Sequence, residues 1–176
     1  MPDLALDPPG TDPPPPPPPD FYPPEDIRIG MRALQDALSK GAPQAEILAA
    51  ANRVAGELNV RMGVQIVECT PDTVAGTMPV LGNRQPFGLL HGGANAVLAE
   101  SLGSFHASLL AGPGRVPVGI ELNCTHHRAM TAGLVYGRSA ALHTGRTMMT
   151  LEIVISRETG ERVCTARLSC LVQPGG

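Results

Sequence analysis

From Gly92 to Leu110 the chain carries almost no polar content, and a Gly112-Pro113-Gly114 breaker closes the run. A stretch of this length without a break is predicted to be one long helix. A helix that is apolar around most of its circumference has to be covered on most sides, so this segment constrains the fold more than any other.

The flanking sequence supplies the cover. Val64 and Ile66, then Val74, Gly76 and Met78 beyond a Pro71-Asp72 turn, alternate with small or polar residues and read as a hairpin. After the helix come β-like runs at Val116–Thr125, Gly133–Leu142, Thr147–Ser156 and Arg162–Val172. Two strands, a helix and three or four antiparallel strands predict an α+β domain, a curved antiparallel sheet wrapped around a central helix. Upstream, Ile27, Met31, Leu34 and Leu38 step at helical spacing, and a second helix is expected from Pro43 with Ile47, Ala51, Val54 and Leu58 on one stripe. These helices form an accessory layer over residues 25–59, with the main domain at 60–173.

Residues 1–24 hold 12 of the 19 prolines and four aspartates with no basic residue. Such a segment buries too little apolar surface to offset its ordering entropy and is expected to be a disordered, proline-rich arm. It carries the acidity of the chain: the formal charge is −3 overall, but residues 25–176 have 13 basic against 12 acidic side chains. With no basic block, no tryptophan and five other aromatics, the chain lacks the phosphate-neutralising patch and stacking platforms of a nucleic-acid binder. No apolar run is long enough to span a bilayer and no secretory signal opens the chain, so a cytoplasmic protein without membrane partners is expected. The four cysteines show no CxxC pairing. Cys124 and His126 share a strand face, but two ligands do not make a metal site, and neither a metal nor a cofactor is expected.

Two faces of the long helix differ in kind. Ala94, Leu98, Leu102 (or Ser101), Phe105 and Leu109 form a large-residue stripe suited to the sheet. Ala96, Glu100, Gly103, Ser104 and Ala107 form a small-residue stripe that lets a ligand or another backbone come close. Glu100 is the only acid between Asp72 and Glu121. A carboxylate in apolar surroundings is costly to keep charged unless something pairs with it, and Ser104, one turn on, can reach it. Gly92 and Gly93 open the helix, where unpaired backbone N–H groups and the positive dipole end can hold a developing oxyanion. The eight-residue separation of Gly92 from Glu100 is about 12 Å along a helix, too far for both to address one carbonyl carbon. Two antiparallel copies about a two-fold axis would bring Gly92 of one near Glu100 of the other, so a homo-oligomer with a shared site is expected.

The order of elements and the stretch HGGANAVLAE (His91 to Glu100) resemble the hotdog-fold acyl-CoA thioesterases, in the phenylacetate-pathway and 4-hydroxybenzoyl-CoA thioesterase branch that uses a helical glutamate. The resemblance covers roughly residues 60–173 and implies hydrolysis of an acyl-CoA to the acid and free coenzyme A. It further implies that Glu100 is the catalytic carboxylate, as nucleophile or general base. On the same basis Gly92 polarises the thioester carbonyl, Gln85 positions substrate or water, and Ser104 stands where these enzymes often carry threonine. His91, Gly93 and Asn83 fit the substrate-binding part of the motif, and Phe87, Leu89, Leu90 and Met62 would shape the acyl pocket. IELNCTHHRAM resembles the strand that ends in an arginine followed by Pro-Ala, so Arg128 is either a coenzyme A phosphate contact or a solvated strand-end charge. Arg84 and Arg146 are further candidates for the nucleotide end, and two dimers could join as a tetramer. A hotdog dehydratase would require an aspartate closely followed by a histidine, and no Asp-x4-His occurs here. The other alternative is a non-catalytic acyl-CoA-binding or scaffolding hotdog protein.

Overall fold

The computed structural model describes residues 24–175. The arm expected at 1–24 lies outside the described residues except for Pro24, which opens the first helix. The chain order is α1 (Pro24–Ser39), α2 (Gln44–Arg53), α3 (Glu57–Arg61), β1 (Gln65–Cys69), β2 (Val74–Pro79), α4 (Gly92–Ala111), β3 (Arg115–His126), β4 (Leu134–Thr144), β5 (Met148–Ser156) and β6 (Arg162–Pro174). The strands form one antiparallel sheet in the order β1-β2-β4-β5-β6-β3, packed around α4.

The long apolar helix lies where its composition requires. Leu98 and Leu102 are fully buried, and each contributes about 1.5–3 kcal/mol of transfer free energy. Their approach depends on two glycines that face each other across β2 and β4, Gly76 and Gly137. A Cβ on Gly137 would stand 2.5 Å from Leu102 Cδ1, and one on Gly76 would stand 2.9 Å from Leu102 Cδ2. The glycine pair therefore forms a flat seat for the helix.

Two stripes of α4 differ from the expected partition. Gly103 and Ala107, assigned to the small-residue face, are buried inside this chain, with Gly103 against Leu168 and Ile153 of its own sheet. Phe105 and Leu109 are only partly buried. The sheet curls around more of the helix than a two-face reading allows, leaving Ala96, Glu100 and Ser104 half-buried at its margin. His106 is fully buried on the same helix. Its Nε2 donates to the Pro71 carbonyl at 3.0 Å, and its Nδ1 accepts from Ser139 Oγ at 3.1 Å. A carbonyl only accepts, so the proton is on Nε2.

The second helix is shorter than expected. It stops at Arg53, Gly56 adopts φ 84°, and α3 starts afresh, so Leu58 is 56% exposed instead of continuing the buried stripe. A left-handed glycine interrupts the helical ladder before the apolar spacing ends. Helix α2 lies along the outer edge of β1, where Asn52 donates from Nδ2 to the Ile66 carbonyl at 2.9 Å and accepts the Ile66 N–H at 2.8 Å. Among the described residues no helix is long and apolar enough to cross a membrane.

Candidate active site

The start of α4 is built from side-chain and backbone caps that sort the first-turn amides. His91 is the N-cap, and its Nδ1 accepts the Gly93 N–H at 2.8 Å. The His91 carbonyl accepts the N–H groups of Ala94 and Asn95. Gly92 N–H has no acceptor among the described residues, which leaves it as the one first-turn amide open to a ligand. A Cβ on Gly92 would stand 3.0 Å from Nε2 of His126 on β3, so glycine is what lets strand, helix start and ligand meet here.

A pocket of about 340 Å³ opens at this point, with Gln85, Leu90, Gly92, Asn95, His126 and Arg128 among its lining residues. Gln85 is held in the loop before α4: its backbone N–H donates to Leu89 and its Oε1 accepts the Phe87 N–H at 2.8 Å. Asn83 does not reach the pocket. It ties the loop to the fold by donating to the carbonyls of Met62 and Pro79, while its own carbonyl accepts the His91 N–H. Phe87 is 78% exposed and projects away from the chain. Arg128 sits at the rim, donating to the Arg162 carbonyl at 2.8 Å and lying 3.9 Å from Glu161. Arg146 is at the other end of the sheet, where Arg115 donates to its carbonyl.

Glu100 belongs to a different place in the chain. Ser104 Oγ donates to Glu100 Oε1 at 3.1 Å, the pairing that the one-turn spacing predicts. The carboxylate lies against Gly119, where an added Cβ would stand 2.6 Å from Oε1. A β-bulge between Gly119 and Glu121 shifts the β3–β6 register at this position. Glu100 does not line the pocket at Gly92.

The neighbouring cysteine thiols are all shifted upward. Burial pushes the thiols of Cys164 up to about 12 and Cys170 up to about 11, with the negative charge of Glu100 adding to the rise at Cys170. Cys124 is also raised, by burial first, against a lowering hydrogen bond from Cys164. At neutral pH these sulfurs stay protonated. Among the described residues no cluster of three or more His, Cys, Asp or Glu side chains could hold a metal ion.

Two residues that spacing did not single out for the site are Asn95 and the ring of His126 as its neighbour. They are 31 positions apart, with Asn95 Nδ2 3.4 Å from His126 Nδ1. An asparagine inside the most apolar helix was the available signal.

A six-stranded antiparallel sheet around one long helix is the architecture of hotdog thioesterases. Residues 87–164 match the thioesterase superfamily model. The chain is 46% identical over 118 residues to the proofreading thioesterase EntH of Cronobacter turicensis, covering 66% of this chain and 86% of that protein. A thioesterase of Haemophilus influenzae superposes with a TM-score of 0.70 at 32% identity, covering 72% of this chain and 90% of that one. The Q49A variant of a Pseudomonas aeruginosa thioesterase does so with a TM-score of 0.68 at 36% identity, covering 75% and 95%. The chain belongs to the thioesterase superfamily, and it is a thioester hydrolase with the hotdog fold.

Proposed function

We propose that this hydrolase acts on acyl-CoA thioesters, in the glutamate-type branch of the family, with each active site shared between two copies of the chain. The observation that carries the reading is the separation of the two devices: Gly92 lies against His126 and Glu100 against Gly119, at different stations of β3. β3 is an edge strand, with Val118 45% and Ile120 54% exposed along it. Antiparallel pairing of two β3 strands about an axis between Leu122 and Asn123 would set Gly119 of one opposite His126 of the other. Glu100 of the partner subunit then faces the Gly92 pocket.

In that arrangement the thioester carbonyl oxygen points at the Gly92 N–H, and the partner's Glu100 attacks the carbonyl carbon or takes a proton from the attacking water. Ser104 holds the carboxylate's orientation, and Gln85 positions substrate or water. His91 and Gly93 shape the helix start, Asn83 fixes the loop, and the exposed Phe87 is available to the acyl group of a substrate. Leu90 and Met130 give the pocket an apolar lining for an acyl or aryl group, and Arg128 offers a cation to coenzyme A phosphates. The likeness to a proofreading thioesterase supports a role in removing thioesters formed in error. Outer-face Met148 and Leu171, paired in register and exposed, support a dimer of dimers. Four free cysteines fit a reducing, cytoplasmic setting.

The test is free-thiol release from benzoyl-CoA and octanoyl-CoA. Glu100→Gln is expected to lower kcat by about 10²–10⁴-fold, the usual worth of a positioned acid or base. Equal rates in wild type and variant would remove Glu100 from the mechanism. Mixing inactive Glu100→Ala with Gly92→Pro, which deletes the N–H at a position where proline suits a helix, should restore activity in hybrids. No recovery would put the whole site in one chain.

A further inference from the structure

We infer that His126 is a second oxyanion donor, acting through its Nε2–H beside the Gly92 N–H, and that Asn95 is the positioning residue that fixes the ring's tautomer. The inference rests on the thioesterase reading above and adds a catalytic residue to it.

Asn95 is 4% exposed and sits in the first turn of α4, facing the pocket. Its Nδ2 lies 3.4 Å from His126 Nδ1, and its Oδ1 is buried with no hydrogen-bond partner among the described residues. An amide NH2 only donates, so His126 Nδ1 is the acceptor and the ring proton is on Nε2. That nitrogen is the one that faces Gly92. The open Gly92 amide and the Nε2–H thus border the same space, which is the arrangement that stabilises a thioester carbonyl oxygen as it gains negative charge.

The orphaned Oδ1 marks Asn95 as a residue kept at a cost to stability. A buried acceptor without a partner is costly, and stability alone would favour an apolar side chain in this apolar helix. What the asparagine provides is direction to the imidazole. The other amide orientation would place Oδ1 on Nδ1, move the ring proton there and turn an acceptor toward the substrate oxygen. The two orientations therefore predict opposite tautomers. His106 supplies an internal reference, because the Pro71 carbonyl fixes its proton on Nε2.

Ring nitrogens can be read by long-range proton–nitrogen NMR on full-length protein labelled at histidine, with the His126 signals identified by their loss in His126→Gln. The expected result is the Nε2–H pattern of His106, and an Nδ1–H pattern overturns the inference. In kinetics with benzoyl-CoA, His126→Phe should lower kcat by about 100-fold or more with KM within about threefold. His126→Gln, which keeps a donor, should recover at least about tenfold of that loss. Asn95→Leu should lower kcat by about tenfold and change the tautomer pattern of His126. A His126→Phe enzyme with kcat within about threefold of wild type, or one whose defect lies in KM alone, would overturn the donor role. An inert wild type would instead sink the parent reading. If His126→Phe does not fold, the tautomer spectrum of the wild type decides.

Discussion

The two edges of the sheet are finished differently. At β1 the outward backbone groups of Ile66 are both taken by one side chain, Asn52, so helix α2 caps the edge at this residue. At β3 no element of the described chain covers the edge, and Val116, Val118 and Ile120 are exposed along it. Unpaired edges are normally short, charged or covered, because they template association. The contrast teaches that the exposure at β3 is selective: the same chain that spends a half-buried asparagine on one edge leaves apolar side chains on the other, along the stretch where Gly119 meets Glu100.

The largest effect is expected at the open edge. If the proposed β3 dimer forms, Val118→Lys with Ile120→Lys should convert it to monomers, seen by sedimentation, and lower kcat by more than about 100-fold by separating Gly92 from the Glu100 of the second copy. A dimer that persists with full activity would show that β3 is not the interface. At the closed edge the effect is on stability. Asn52→Leu leaves both Ile66 groups without partners and should cost about 1–3 kcal/mol in denaturant unfolding, with increased self-association as the second edge is bared. Unchanged stability would mean that α2 merely rests on β1. The smallest change is at Ser104→Ala, which removes one hydrogen bond to Glu100 and should lower kcat about two- to tenfold without altering assembly.

Much of the fold was legible because it is written in spacing along the chain. The alternation Met149, Leu151, Ile153, Ile155 defines β5, and all four are buried. The Gly112 breaker marks the end of α4 within a residue. What spacing misses is contact across the fold. Gly103 looks like part of an open face until Leu168 and Ile153 of the sheet are seen to fill the space above it. The Gly56 break in the helical stripe depends on a backbone angle that apolar periodicity does not record. In the site, the Glu100–Ser104 pair was legible because one helix turn separates its members. Asn95 with His126 was not, because a helix and a distant strand bring them together.

The hydrogen bonds of Asn52 also bear on size. A particle that grows by adding strands needs two sticky sides, as a brick wall needs a top and a bottom face. With β1 occupied, each chain offers a single side, and two such sides meeting about a two-fold axis use each other up. In the proposed dimer growth through the sheet would end at two, and the asparagine that looks like local mending would keep a bare, apolar strand from seeding a fibre.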